Sequence, residues 1–219
     1  MCAPSSSAAA RAASAPRPAE AGPGASRRGR LLGCPRIESL ANHDISNHAI
    51  SGREQMSLRE GQMNITESGT LDHTCFVVHD VEKTAAALAA SGIGPWGIWT
   101  IAPAATTVRG RDVAFSFRIA FAQVGGANYE LLAPHQGASI YDEHLAASGE
   151  GFHHTCIRYT SREAMREAKA ELQRQGRTIA QSADMGENGE FCYFEIPEIG
   201  SLIELLYVAE LPPPETTVG

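Results

Sequence analysis

Hydrophobic positions follow first a strand pattern and then a helix pattern, and this succession occurs twice. Leu71–Val78 is a mostly apolar run typical of a buried strand, and Val81–Ala90 has the spacing of an amphipathic helix. Bulky and small residues alternate over Val113–Gln123, which predicts a strand with one bulky face. With shorter strands at Ile98–Ile101 and Asn128–Leu132, the first half has the predicted order β-α-β-β-β.

The same order recurs in the second half, from His153 onward. Asp80 and Ser161 stand where a helix N-cap is expected, and Gly92 and Gly176 follow the two predicted helices. The predicted elements are a strand at His153–Tyr159, a helix at Arg162–Gln175, and strands at Thr178–Ser182, Phe191–Ile196 and Ser201–Val208. The linker Pro134–Gly151 has the pattern of a short helix near Ile140–Ala147.

Short repeated motifs indicate that the two halves arose by duplication. The phrase His-Thr-Cys stands at residues 73–75 and again at 154–156, an offset of 81 residues (154 − 73), and Tyr-Glu-Leu-Leu at 129–132 is echoed by Ile-Glu-Leu-Leu at 203–206. We therefore predict an α+β fold of two paired β-α-β-β-β modules, residues 70–133 and 151–209, within one domain at 70–209.

Charge and composition separate the N-terminal segment from this domain. The net charge is −7, but residues 1–36 carry six arginines and one acid, so the remainder is −12 (−7 − 5). An acidic body argues against a nucleic-acid partner, and no stretch is apolar enough to span a membrane. Residues 1–65 are expected to be disordered. Their Arg-rich, Ser-rich beginning resembles a transit peptide; alternatively, the start codon is assigned too far upstream and the true start is Met56 or Met63.

The five cysteines contain no C-x-x-C pair, and three of them lie in apolar strands. We expect Cys75, Cys156 and Cys192 to be buried free thiols, as is usual in a reducing compartment, and hence a cytoplasmic location. The expected partner is a small-molecule substrate; whether the protein forms a homodimer is left open.

Two histidines and two glutamates form the candidate site. Side chains alternate across a strand, so His73 and Cys75 share one face and His154 and Cys156 share the matching one. Glu130 and Glu204 hold equivalent places in the last strands of their modules. If the modules pair about a pseudo-twofold axis, these four side chains can bind one divalent metal ion such as Zn, Co, Ni, Mn or Fe.

The motifs L-D-H-T-C-F-V-V, Y-E-L-L-A-P, F-H-H-T-C-I-R-Y and G-S-L-I-E-L-L resemble the vicinal oxygen chelate superfamily, most closely its glyoxalase I and methylmalonyl-CoA epimerase-like branch. The resemblance covers residues 70–209. It implies the metal ligands His73, Glu130, His154 and Glu204, with Glu204 or Glu130 as the catalytic base. His154 is chosen over His153 because His153 aligns with Asp72.

One departure from the epimerase pattern bears on the reaction. Bacterial epimerases carry a second catalytic acid on an earlier strand of the first module, whereas Val113–Gln123 contains no acid and offers Arg118. This favours a metal-dependent isomerase or lyase that uses one mobile carboxylate and acts through an enolate. The alternatives are an Fe(II)-dependent ring-cleaving dioxygenase and a non-catalytic binding protein of the bleomycin-resistance type.

Other residues are weaker candidates. Arg109, Arg111 and Arg118 could bind a substrate carboxylate or phosphate, although solvated surface charges are the more usual role. The glycine-containing loop Met185–Glu190 is expected at the edge of the substrate pocket.

A first prediction concerns the N-terminal segment. Translation from Met63 should leave the melting temperature and the metal content unchanged, because residues 1–62 are too polar to build a core. Thermal denaturation and metal analysis of both lengths measure this. A melting temperature lower by several degrees in the shorter protein would show that the segment packs on the domain.

Overall fold

The computed structural model describes residues 64–219. The N-terminal segment thus lies almost wholly outside the described residues. Along the described range the chain forms β1 (Gly69–Val77), α1 (Val81–Ala90), β2 (Trp96–Ile101), β3 (Ala105–Val108), β4 (Arg111–Asp112), β5 (Ser116–Val124), β6 (Ala127–Gln136), α2 (Ile140–Ser148), β7 (Gly151–Tyr159), α3 (Arg162–Arg174), β8 (Ile179–Asp184), β9 (Gly189–Ile196), β10 (Ser201–Val208) and β11 (Thr216–Val218).

Capping side chains begin the helices at the predicted places. The Asp80 carboxylate accepts a hydrogen bond from the backbone N–H of Lys83 at 2.9 Å, and the Ser161 hydroxyl accepts one from Ala164 N–H at 3.1 Å. In the linker, Ser139 and Asp142 form a capping box at the start of α2. The short linker helix predicted near Ile140–Ala147 is therefore present as α2.

One sheet contains all the described strands, in the order β11-β2-β5-β6-β1-β7-β10-β9-β8-β3-β4. β1 runs antiparallel to β7 at the centre, and each is flanked by a parallel partner, β6 for β1 and β10 for β7. Moving outward, β5 corresponds to β9 and β2 to β8. This pseudo-twofold arrangement confirms the predicted α+β fold of two paired β-α-β-β-β modules.

Helices cover the sheet on both faces. On one face, α1 packs its Val81 and Ala85 against the first module, and α3 packs its Met165 and Leu172 against the second. The other face carries α2, whose buried Tyr141 joins the core between the two modules. Within residues 64–219, no helix combines the length and the apolar character needed to cross a bilayer.

The structure differs from the predicted elements at both outer edges of the sheet. The strand predicted at Val113–Gln123 begins only at Ser116, and the preceding segment forms the hairpin β3–β4, which pairs with β8 of the second module. Conversely, β11 lies beyond the predicted domain end and pairs with β2 of the first module. Each module thus has its outer strand covered by a segment from the other half. The sequence did not predict β3, β4 and β11 because strands of two to four residues are too short to show a hydrophobic period.

A second prediction tests a required glycine. Gly189 opens β9 with a φ of +146°, and a Cβ there would overlap the backbone carbonyl of Tyr207 in β10. Gly189→Ala should therefore lower the free energy of unfolding by about 1–3 kcal/mol in urea denaturation. Gly126→Ala, in the open β5–β6 turn, is the control and should change it by less than about 0.5 kcal/mol. Equal effects of the two changes would contradict this packing.

Candidate metal centre

Strand register brings the predicted ligands onto one face of the sheet. Across the central pair, His73 lies opposite Cys156 and Cys75 lies opposite His154. On the flanking strands, Glu130 lies opposite Cys75 and Glu204 opposite Cys156. Because directly opposite residues project to the same side, all these side chains enter the same concavity.

The four predicted ligands converge within this concavity. The Nε2 atoms of His73 and His154 lie 3.4 Å apart. The Oε2 atom of Glu204 is 3.2 Å from each of these nitrogens, and Glu130 Oε2 is 3.2 Å and 3.5 Å from them. In a tetrahedron with metal–ligand bonds of about 2.1 Å, ligand atoms lie roughly 3.4 Å apart. The five distances given above are close to that value. His73, Glu130 and His154 form one group near enough to share an ion, and His73, Cys156 and Glu204 form another.

Two β-bulges place a neighbour beside each histidine. The register between β1 and β7 shifts at Asp72 and again at His153, the residues that precede His73 and His154. Asp72 Oδ2 lies 2.9 Å from His73 Nδ1, and His153 Nδ1 lies 2.8 Å from His154 Nδ1. Regular strand alternation would place His153 and His154 on opposite faces of β7, but the bulge brings the His153 ring beside that of His154.

These contacts set the tautomers of the two rings. An ionised Asp72 can only accept a hydrogen bond, so a neutral, metal-binding His73 would carry its proton on Nδ1 and direct the Nε2 lone pair at the site. Burial and the nearby His154 lower the pKa of His153 to about 2. A neutral His153 can accept a hydrogen bond from Nδ1–H of His154, which leaves the His154 Nε2 lone pair free as well.

The electrostatics of the cluster call for a cation. Burial alone would raise the pKa of Glu204, but hydrogen bonds from His154 and His73 outweigh it and hold that pKa below its usual range. Burial likewise opposes the charged form of His73, yet the charge of Glu130 raises the pKa of His73 overall. Glu130 Oε2 is buried without a hydrogen-bond donor. Two carboxylates and two imidazoles close to one another fit a divalent ion, whose charge would take the place of the proton that these carboxylates stabilise on His73.

The predicted free thiols are confirmed. Cys75 and Cys156 lie among the donor residues, whereas Cys192 belongs to the core cluster beside α3. Cys75, Cys156 and Cys192 are all buried and unpaired. Burial raises the pKa of the Cys75 and Cys156 thiols well above the ordinary value, with Glu130 and Glu204 respectively adding to the effect. Both are therefore neutral packing groups in the described structure.

A small cavity of about 80 Å³ is lined by His73, Glu130 and Glu204, whereas His154 is fully buried and does not line it. Its wall is mostly aromatic and aliphatic, and its polar members besides the donors are Asp72, Arg158 and Tyr193. The predicted pocket-edge loop contributes Met185. The apolar lining residues are Ile101, Phe117, Ile119, Phe121, Met185, Phe191, Leu206, Val208 and Leu211.

The arginines singled out in the sequence lie elsewhere. Arg109 forms ion pairs with Glu143 and Glu195, and Arg118 contacts Glu82 on the helix-covered face. Arg111 lies exposed in the edge strand β4. Arg158, which was not among the candidates from the sequence, lines the cavity; regular strand alternation places it on the face of His154 and Cys156.

Comparison with known families gives the identity of the fold. A model of the Glyoxalase/Bleomycin resistance protein/Dioxygenase superfamily matches residues 72–194, more than half of the chain. The chain belongs to this superfamily. The resemblance inferred from the duplicated motifs is thereby confirmed at the superfamily level. A search of curated proteins finds no significant match.

Solved structures resemble this chain at low sequence identity. A hypothetical protein from Bacillus halodurans C-125 is 20% identical with a TM-score of 0.48, covering 67% of this chain and 99% of its own. A methylmalonyl-CoA epimerase from Mycobacterium tuberculosis is 23% identical with a TM-score of 0.46, covering 68% and 94%. A variant of 4-hydroxymandelate synthase from Streptomyces coelicolor is 14% identical with a TM-score of 0.39, covering 71% and 53%. Likeness at this level assigns no activity.

A third prediction separates direct ligands from their neighbours. His73→Ala and His154→Ala should each abolish stoichiometric metal binding, because each removes a donor atom. Asp72→Ala and His153→Ala should weaken it by about 10- to 100-fold, because each removes a contact that orients a ligand. Titration with Zn²⁺ against a competing chelator measures both effects.

His135→Ala, which removes an exposed histidine at the end of β6, is the matched control and should leave the affinity unchanged. Complete loss of metal in His153→Ala with retention in His154→Ala would show that the donor set has been assigned to the wrong histidine.

Proposed function

We propose that this protein is a metal-dependent isomerase or lyase of the glyoxalase or acyl-CoA epimerase type. Its substrate would be small and would present two vicinal oxygens, as in an α-hydroxy ketone, a thiohemiacetal or a 2-acyl thioester. The observation that carries the proposal is the convergence of His73, Glu130, His154 and Glu204 beneath one cavity. Membership of the superfamily is consistent with it.

A divalent ion at these four residues would supply Lewis-acid polarisation of the two substrate oxygens. The protein's own groups would handle the proton. Glu204 is held ionised by its contacts with both histidines, while Glu130 Oε2 has no hydrogen-bond donor. We assign the transfer of the substrate's α-proton to one of these carboxylates.

The surroundings suit proton abstraction next to a carbonyl. Phe117, Phe121 and Phe191 line the cavity and keep bulk water from the reacting carbon. Tyr141 donates a hydrogen bond to Tyr193 at 3.0 Å, and burial raises the pKa of both phenols well above the ordinary range. Both tyrosines are therefore neutral at any physiological pH and add no competing charge to the site.

The structure supports chemistry with a single base for each proton transfer. β5 directs Phe117, Ile119 and Phe121 into the cavity, while Arg118 lies on the opposite face with Glu82. Among the described residues, the acids that line the cavity are Asp72, Glu130 and Glu204, and Asp72 is engaged by His73. A second acid on an earlier strand, as in two-base epimerases, is absent from this lining.

A fourth prediction uses Glu130 to separate the enzyme classes. Glu130→Ala should weaken metal binding, because a direct carboxylate ligand is lost. It should also slow α-proton exchange in heavy water by at least about 100-fold, in keeping with the usual contribution of a general base. Exchange is followed by proton NMR over a panel of α-hydroxy ketones, thiohemiacetals and 2-acyl thioesters. Glu163→Ala, an exposed change in α3, is the control.

Two other results would identify the alternatives. Oxygen uptake that requires Fe(II) and a catecholic substrate, and that survives in Glu130→Ala, would indicate a dioxygenase with His73, His154 and Glu204 as its ligands. Tight binding of a metabolite or drug without any turnover or proton exchange would indicate a binding protein of the bleomycin-resistance type.

A further inference from the structure

The pseudo-twofold symmetry of the site is broken at its two ends. Four residues beyond each ligand histidine, β1 carries Val77 and β7 carries Arg158. Because the two strands are antiparallel, these residues lie toward opposite ends of the cavity. Val77 is fully buried in the cluster that contains Ile140 and Tyr141 of α2, so that end is closed. The Arg158 end is the open one.

The guanidinium of Arg158 has capacity left for a ligand. Its Nη2 donates to the carbonyl of Val208 at 3.1 Å, and its Nη1 lies 3.7 Å from Asp72 Oδ1. The Asp72 carboxylate is already engaged by His73. Arginine offers five N–H donors in a planar fork that matches a carboxylate. Arg109 and Arg118, by contrast, each contact a carboxylate directly.

The charged residues along the route to solvent limit which substrates can bind. Beyond the inner cavity lies an outer cleft of about 660 Å³ that shares Ile101, Met185, Val208 and Leu211 with it. Among the described residues, Arg158 is the one Lys or Arg that lines either space, and the outer cleft carries the acid Glu210. A substrate bearing several phosphates would meet no cation in the outer cleft.

We infer that Arg158 determines specificity by binding a substrate carboxylate. The site would take a compact monocarboxylate whose two vicinal oxygens face the four donors and whose uncharged, apolar remainder lies in the outer cleft. Substrates carried on coenzyme A are thereby disfavoured. This inference rests on the proposed function, because it needs the metal-bound donors to hold the vicinal oxygens.

The test uses full-length, zinc-loaded protein and three probes. Benzohydroxamate chelates a metal through two vicinal oxygens and carries no further charge, while 3- and 4-carboxybenzohydroxamate add one carboxylate at two positions. We expect the better carboxylated probe to bind about tenfold more tightly than benzohydroxamate by calorimetry. Arg158→Met should remove this advantage, and Arg158→Lys should keep part of it.

Arg177→Met is the matched control, since Arg177 is paired with Glu198 away from the cavity, and it should leave all three affinities unchanged. Circular dichroism of each variant checks folding, and the comparison of probes on unaltered protein does not depend on any variant. Coenzyme A at millimolar concentration should not displace the probes.

The outcomes separate this inference from the proposed function. If benzohydroxamate fails to bind the zinc-loaded protein, the metal-centred function is overturned and the inference falls with it. If all three probes bind equally, or if Arg158→Met keeps the carboxylate preference, the role of Arg158 is overturned while the function stands. Displacement by coenzyme A would overturn the exclusion of phosphate-bearing substrates.

Discussion

The antiparallel pairing of β1 with β7 is the constraint on which the site depends. This pairing joins the two modules. Each module contributes one histidine and one glutamate, so neither could form the four-residue site alone. The register of this pair sets His73 and His154 diagonally across the two strands with their Nε2 atoms 3.4 Å apart, and the parallel partners β6 and β10 bring Glu130 and Glu204 from either side. A slip of one residue in this pairing would turn one module's donors to the face that carries α1 and α3, away from the donors of the other module.

Burial makes this cluster of donor residues energetically costly as well as specific. The four donor residues are each at most 5% exposed, so their charges and lone pairs are poorly compensated by water. Such a cluster is stable only with a proton or a cation among the carboxylates, and the spacing of the donor atoms suits a divalent ion. The apolar walls strengthen the same electrostatic interactions by lowering the local dielectric.

The two modules have similar backbones, but their side chains at the site differ in chemistry. Both ligand histidines follow a bulged residue, but one neighbour is the anion Asp72 and the other is the neutral His153. A carboxylate partner makes the His73 imidazole the more electron-rich ligand of the two. The ends of the cavity differ as well, since α2 closes one and Arg158 stands at the other. A symmetric fold thus presents an asymmetric site, which is what binding an asymmetric substrate requires.

The sequence by itself determined the repeated β-α-β-β-β order, the helix caps at Asp80 and Ser161, and the four candidate ligands with the superfamily they resemble. These features rest on local periodicity and on short motifs, which need no knowledge of distant contacts. Tertiary structure alone decided where His153 points, because a bulge depends on the register between two strands that are 81 residues apart. It also decided the neighbours of Arg158 and the pairing of the outer strands β3, β4 and β11. A strand pattern in the sequence shows on which face an arginine lies but not which residues it contacts. Edge strands of two to four residues are defined by the strands they pair with rather than by their own sequence.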